Sequence, residues 1–79
     1  MNGKKVNGNS KRDRIINFAW GLLSPYCGWA VTSEYVDFAT YDKDALQKVF
    51  RFCSALRLRF ERKETNVFLS VRRDFKIYF

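Results

Sequence analysis

Residues 56–79 read LRLRFERKETNVFLSVRRDFKIYF, and the fold turns on their rhythm. Leu56, Leu58 and Phe60 alternate with Arg57, Arg59 and Glu61. Val67, Leu69 and Val71 alternate with Phe68, Ser70 and Arg72, and Phe75, Ile77 and Phe79 with Lys76 and Tyr78. A repeat of two is that of a strand with one buried face. Lys63-Glu64-Thr65-Asn66 and the shorter Arg73-Asp74 read as turns between such runs. The spacing predicts a three-stranded antiparallel meander ending at Phe79.

Upstream the period changes. Leu46, Val49, Phe50, Cys53 and Leu56 recur at steps of three and four, which predicts a helix over 43–55. Asp42 is its expected N-cap, with Asp44 in the first turn where the helix dipole favours a carboxylate. Tyr35 to Tyr41 alternates again, with Val36 and Phe38 on one face and Tyr35, Asp37, Ala39 and Tyr41 on the other. Tyr26 to Val31 reads as a short strand bent at Gly28, hairpinned to its successor through Thr32-Ser33. Ser10 followed by Asp13 opens a helix over 11–23, whose stripe is Ile15, Phe18, Ala19 and Leu22, widened by Ile16, Trp20 and Leu23. Ser24-Pro25 ends it. The expected order is α-β-β-α-β-β-β, an α+β fold with two helices packed on one face of an antiparallel sheet. Residues 10–79 form one domain, and residues 1–9, rich in Asn, Gly and Lys, read as a flexible basic arm.

Composition narrows the function. The 79 residues include 15 Lys+Arg against 8 Asp+Glu, a net charge of +7, and 18% are aromatic. Both ends of the chain are basic and the middle is mildly acidic. There is no histidine, which removes imidazole acid–base catalysis, His-activated nucleophiles and His-ligated metals. No catalytic set, metal site or cofactor is expected, and the charge points to an anionic partner. Cys27 and Cys53 are too few and too far apart for a zinc site or a dense disulfide framework. One disulfide between them is an alternative to two reduced thiols, and the reduced pair in a cytoplasm fits better. Cys27 has no neighbouring base or cation in sequence to activate it. Ile15 to Ser33 is uncharged, but Asn17, Gly21, Ser24, Pro25 and Gly28 break it, so a soluble chain with no membrane partner and no cleaved leader is expected, a peripheral membrane role being the lesser alternative.

If the helices cover the face bearing Leu56, Leu58, Phe60, Val67, Leu69, Val71, Phe75, Ile77 and Phe79, the pleat assigns the other. That face would carry Arg57, Arg59, Phe68, Ser70, Arg72, Lys76 and Tyr78, joined by Tyr35 and Tyr41. Cations among exposed rings suit nucleic acid, because Lys and Arg attract phosphates while rings and guanidinium planes stack on bases. Against this, arginines on an open sheet only solubilise it, and Phe68 with Tyr78 would serve as a packing pair. A second basic cluster holds Lys4, Lys5, Lys11, Arg12 and Arg14, an arm able to follow phosphates or simply a solvated tail. Arg72-Arg73 reads as a solubilising turn, Asp42 and Asp44 as helix-capping groups rather than ion ligands with Asp37, and Trp20 and Trp29 as core.

Trp20-Gly21-Leu22-Leu23-Ser24, Gly28-Trp29, Tyr35-Val36-Asp37-Phe38-Ala39-Thr40 and Asp42-Lys43-Asp44-Ala45-Leu46 together resemble the LAGLIDADG homing endonuclease family over about half the chain. The resemblance implies a motif helix, a hairpin and an antiparallel saddle that binds DNA, with single-motif members pairing through that helix. The family ends its motif with a metal-binding acid where this sequence has Pro25, Tyr26 and Cys27, so the resemblance implies a cut-down binder without catalytic residues. The helix that family places after its fourth strand has no counterpart here. Tyr35-Val36-Asp37-Phe38 and Leu56-Arg57-Leu58-Arg59-Phe60 also resemble the RNA-recognition motif, whose first half does not fit into about thirty N-terminal residues.

The expectation is therefore a small non-enzymatic nucleic-acid-binding protein, acting on DNA or RNA inside a cell or host. It would use Arg57, Arg59, Phe68, Arg72, Lys76 and Tyr78 on the sheet, with Lys11, Arg12 and Arg14 on the arm. The alternative is a protein–protein module, an inhibitor or adaptor of the kind viruses and mobile elements encode, docking on an acidic or nucleic-acid-processing partner. A homodimer is a further expectation, because a core this thin gains from a partner.

Overall fold

The structure is a computed structural model in which residues 10–79 are described. The expected arm, with Lys4 and Lys5, lies outside the described residues. The elements are α1 (Lys11–Leu22), β1 (Trp29–Val31), β2 (Tyr35–Thr40), α2 (Ala45–Leu56), β3 (Phe60–Val67) and β4 (Ser70–Tyr78). The four strands form one antiparallel sheet in the order β1-β2-β4-β3.

Local chemistry sets the helix limits. The Asp13 amide donates to Ser10 Oγ at 3.1 Å, so Ser10 caps α1 and a carboxylate sits in the first turn. At the other end the Leu23 amide still reaches the Ala19 carbonyl, and then Ser24 turns the chain onto β2. Ser24 Oγ lies 3.1 Å from Thr40 Oγ1 and accepts from the Tyr41 amide at 2.8 Å. Thr40 is fully buried, and this contact gives its hydroxyl a partner. α2 begins two residues later than its sequence signals indicate, with Asp44 at the cap position making no side-chain cap bond. Asp42 instead forms a tight turn ahead of the helix. Its Oδ1 accepts from the Asp44 amide at 2.8 Å, and its Oδ2 from Lys48 Nζ at 2.7 Å. The Lys48 hydrogen bond is the main cause holding the Asp42 carboxyl below its ordinary pKa.

Both helices cover one face of the sheet. Ile15, Ala19 and Leu22 of α1 meet Ala45, Val49 and Cys53 of α2 over Val36, Phe38, Phe75 and Ile77. The register explains why these four share a face: Phe38 lies opposite Phe75 and Val36 opposite Ile77. Between the helices the Phe18 and Phe52 rings stack in parallel with centroids 4.0 Å apart. Trp20 packs against Trp29 at 4.7 Å, tying α1 to the short edge strand. Among the described residues no helix is long and apolar enough to cross a membrane.

The last third departs from its expected layout while keeping the fold class. It holds two long strands where three shorter ones are expected. Lys63-Glu64-Thr65-Asn66 lies within β3 and Arg73-Asp74 within β4; the turn is Phe68-Leu69, which carries no Gly, Pro, Asn or Asp. The alternation runs unbroken through Phe60, Arg62, Glu64 and Asn66, which sit opposite Ile77, Phe75, Arg73 and Val71. It is hidden in the sequence because this half of the hairpin extends beyond the helices. Residues 61–70 are all exposed, so no burial demands apolar side chains there.

Candidate nucleic-acid interface

The open face of the sheet is laid out in rows by the strand register. Tyr35 lies opposite Tyr78, and the Tyr78 amide donates to the Arg59 carbonyl. Asp37, Lys76 and Glu61 form the next row, then Ala39, Asp74 and Lys63, and then Arg72 with Thr65. Arg59, Arg72, Lys76 and Tyr78 are thus brought to one face as expected. Ser70 joins them, opposite Val67 at the far end.

Two expected members are elsewhere. Arg57 is not on a strand: it closes α2 in the left-handed conformation, φ 56° and ψ 49°, with its amide donating to the carbonyls of Cys53 and Ser54. Phe68 is in the β3–β4 turn at φ 55° and is 94% exposed, so it cannot pair with Tyr78 across strands. Both errors follow from reading one uninterrupted two-residue rhythm through a helix cap and a turn. The charge also differs from the expected wholly cationic face. Asp37, Glu61 and Asp74 stand beside Lys76, Lys63 and Arg72, and the Arg72 guanidinium bridges Asp74 at 3.2 Å. Over most of the sheet, cations are matched by carboxylates.

At one corner Lys76 keeps Glu61 beside it, but among the described residues neither Arg12 nor Arg59 forms an ion pair with a carboxylate. The Arg59 guanidinium lies 4.6 Å from the Tyr78 ring centroid, and Lys76 Nζ lies 4.6 Å from that of Tyr35. The two tyrosine rings meet edge to face at 5.7 Å. From the helix side Arg12 lies 5.1 Å from the Phe79 ring centroid, and the Phe79 amide donates to the Glu34 carbonyl. Lys11, Arg12 and Arg14, all three exposed, belong to the first turn of α1 rather than to an extended arm. Three cations and three rings therefore alternate around the end of β4, and a depression of about 360 Å³ opens between Ser33, Glu34, Arg59, Tyr78 and Phe79. Partial burial is the main cause raising the Tyr78 pKa, and Glu61 adds to it.

Nothing in the sequence alone links Arg12 to Arg59. The antiparallel order does so, by placing the start of α1 beside the last residues of β4. Of the corner's residues only Phe79 is absent from the sequence candidates; what spacing does not reveal is the pairing of Tyr35 with Lys76 and of Arg12 with Phe79, whose partners come from separate elements. Cys27 and Cys53 are both free thiols, and burial pushes the Cys53 pKa up to about 11. Among the described residues no three His, Cys, Asp or Glu side chains converge as metal ligands. The chain matches no family model, no curated protein and no solved structure.

Proposed function

We propose that this chain is an intracellular nucleic-acid-binding protein with no chemistry of its own, acting through the corner built by Arg12, Arg59, Lys76, Tyr35, Tyr78 and Phe79. The observation that carries the reading is the alternation of guanidinium, ammonium and ring around the end of β4. A guanidinium lying on a ring keeps its outer plane free to stack on a base while its edge meets a phosphate. Lys11 and Arg14, exposed on the same turn as Arg12, extend the cationic track along α1. The remainder of the open face contributes little, because its carboxylates repel phosphates as strongly as its cations attract them.

The test is a fluorescence titration of single-stranded DNA, single-stranded RNA and duplex DNA at two salt concentrations. Affinity should fall steeply as salt rises, since each phosphate contact releases counterions with a slope of about 0.7–0.9 per contact. Salt-insensitive or absent binding to all three overturns the proposal. A second reading, a protein–protein module, is favoured by the exposure of Phe68 and Leu69. A stoichiometric protein partner in the absence of nucleic-acid retardation would support it.

A further inference from the structure

The end of the molecule away from the basic corner carries an unfinished edge. Among the described residues β3 pairs with β4 alone, and Glu61 to Val67 are exposed throughout. The hairpin then ends in Phe68 and Leu69, 94% and 88% exposed. Phe68 holds a positive φ of 55°, a conformation glycine adopts freely and phenylalanine does not. The sequence thus places a large apolar ring where glycine would be both less strained and more soluble. On the helix side of the same hairpin a recess of about 620 Å³ lies between α2 and β3, with Leu46, Phe50 and Phe60 as its apolar lining. Phe50 is 60% exposed there.

The edge is complementary to itself. When two identical strands pair antiparallel about a two-fold axis normal to the sheet, one residue must face its own copy, and side chains facing each other share a sheet face. A centre at Arg62 or Glu64 sets like charges together on the helix face. A centre at Lys63 instead sets Arg62 against Glu64 of the second copy, twice, and Glu61 against Thr65 of the second copy. The two Lys63 side chains then meet on the open face, where each already lies opposite Asp74 on its own β4. In this register each hairpin tip passes Phe60 and reaches the Phe50–Phe60 end of the other copy's recess.

We propose that the chain forms a two-fold dimer in which β3 pairs with β3 of a second copy, centred on Lys63, and each Phe68–Leu69 tip covers the Phe50–Phe60 recess of the other. Within one chain Glu64 Oε2 lies 3.2 Å from both Arg62 Nη1 and Arg73 Nε, all at the surface of the hairpin. In the dimer each Arg62 exchanges this contact for Glu64 of the other copy, which fixes the register, and the exposed tip and recess supply the apolar contact.

Sedimentation equilibrium over a range of concentrations tests it. The unaltered chain should reach twice its monomer mass. Arg62→Glu and Glu64→Arg should each raise the dimer dissociation constant by roughly tenfold or more, since each turns two attractive pairs into repulsive ones. An equimolar mixture of the two variants should recover the dimer. One chain then carries carboxylates at both positions and the other guanidinium groups at both, so every cross-strand pair is again of opposite charge. Phe68→Gly should weaken the dimer while leaving the monomer's circular dichroism intact, because glycine accepts the positive φ. A chain that stays monomeric at every concentration overturns the proposal. So does a dimer indifferent to both charge reversals, or a mixture that fails to recover it.

Discussion

The guanidinium of Arg59 lies over the Tyr78 ring at 4.6 Å, and its backbone carbonyl accepts from the amide of that same tyrosine. Arg59 is thus held at both ends by one residue of β4, which fixes a long, otherwise rotatable side chain over an aromatic plane. A cation–ring contact at an exposed site is worth about 0.5–1 kcal/mol, enough to bias the arginine towards one orientation. One residue beyond β4, the Phe79 ring centroid lies 5.1 Å from the Arg12 guanidinium.

From this arrangement, Arg12→Glu with Arg59→Glu should weaken nucleic-acid binding and lower the slope of log affinity against log salt by about two on duplex DNA. Tyr78→Leu, which removes the ring while keeping apolar bulk, should reduce affinity for single strands more than for duplex, because stacking is the part it removes. The titration described above reads both. A double variant with unaltered salt slope would place the interface elsewhere.

Arg57 offers a control on the same stretch of chain. It closes α2 at φ 56°, where an L-residue costs about 1–2 kcal/mol relative to the right-handed region. Arg57→Gly should raise stability by about 0.5–1 kcal/mol, offset in part by glycine's greater freedom when unfolded. Denaturant melts check this. The same variant should change the salt slope less than Arg59→Gly does, since Arg57 lies outside the cation–ring corner.

How far the sequence reveals the fold depends on burial. Ile15, Ala19, Val49 and Cys53 repeat at helical spacing, and Val36, Phe38, Phe75 and Ile77 at strand spacing, because each must reach one shared core. Glu61 to Asn66 answers to no such demand. It is strand by virtue of pairing with β4, and its polar residues on both faces read as a turn. Phe68-Leu69 reads as strand because it is apolar, yet it forms the turn without turn residues. The charge of the candidate site was legible in Arg59, Lys76 and Tyr78. Its true location was not, because it depends on Arg12 and Phe79 meeting from opposite ends of the described chain.

Ser24 and Thr40 test the joint between α1 and β2. Their hydroxyls lie 3.1 Å apart, with Thr40 fully buried. Ser24→Ala should destabilise the domain by about 1 kcal/mol, because it removes the hydroxyl contact and leaves the buried Thr40 oxygen with the Asp42 amide alone. Adding Thr40→Val should cost less than the two single changes summed, since the contact between the two hydroxyls can be lost only once. The amides of Tyr41 and Asp42, which also rely on these hydroxyls, are near enough to the surface to be taken up by water. A double-mutant cycle from urea melts reads the coupling. Strict additivity would mean that the hydroxyl contact does not contribute.

Cys53 gives the chain a defined alkaline limit. Its thiol is buried between α2 and the sheet, and burial moves its pKa from 9.0 to about 11. Between those values the unfolded chain gives up the thiol proton and the folded chain keeps it. The unfolded state then binds fewer protons, so stability falls as pH rises through this window and is fully retained below it. The loss by pH 11 is about 2–3 kcal/mol from this group. Cys53→Ala should flatten that part of the stability profile, at the expense of a small cavity that lowers stability at neutral pH. Iodoacetamide at about pH 8.5, near the reference thiol pKa, should label the half-buried Cys27 in the folded chain and reach Cys53 only after denaturant is added. Equal labelling of both thiols in the native state would show that the α2 face opens far more readily than its packing implies.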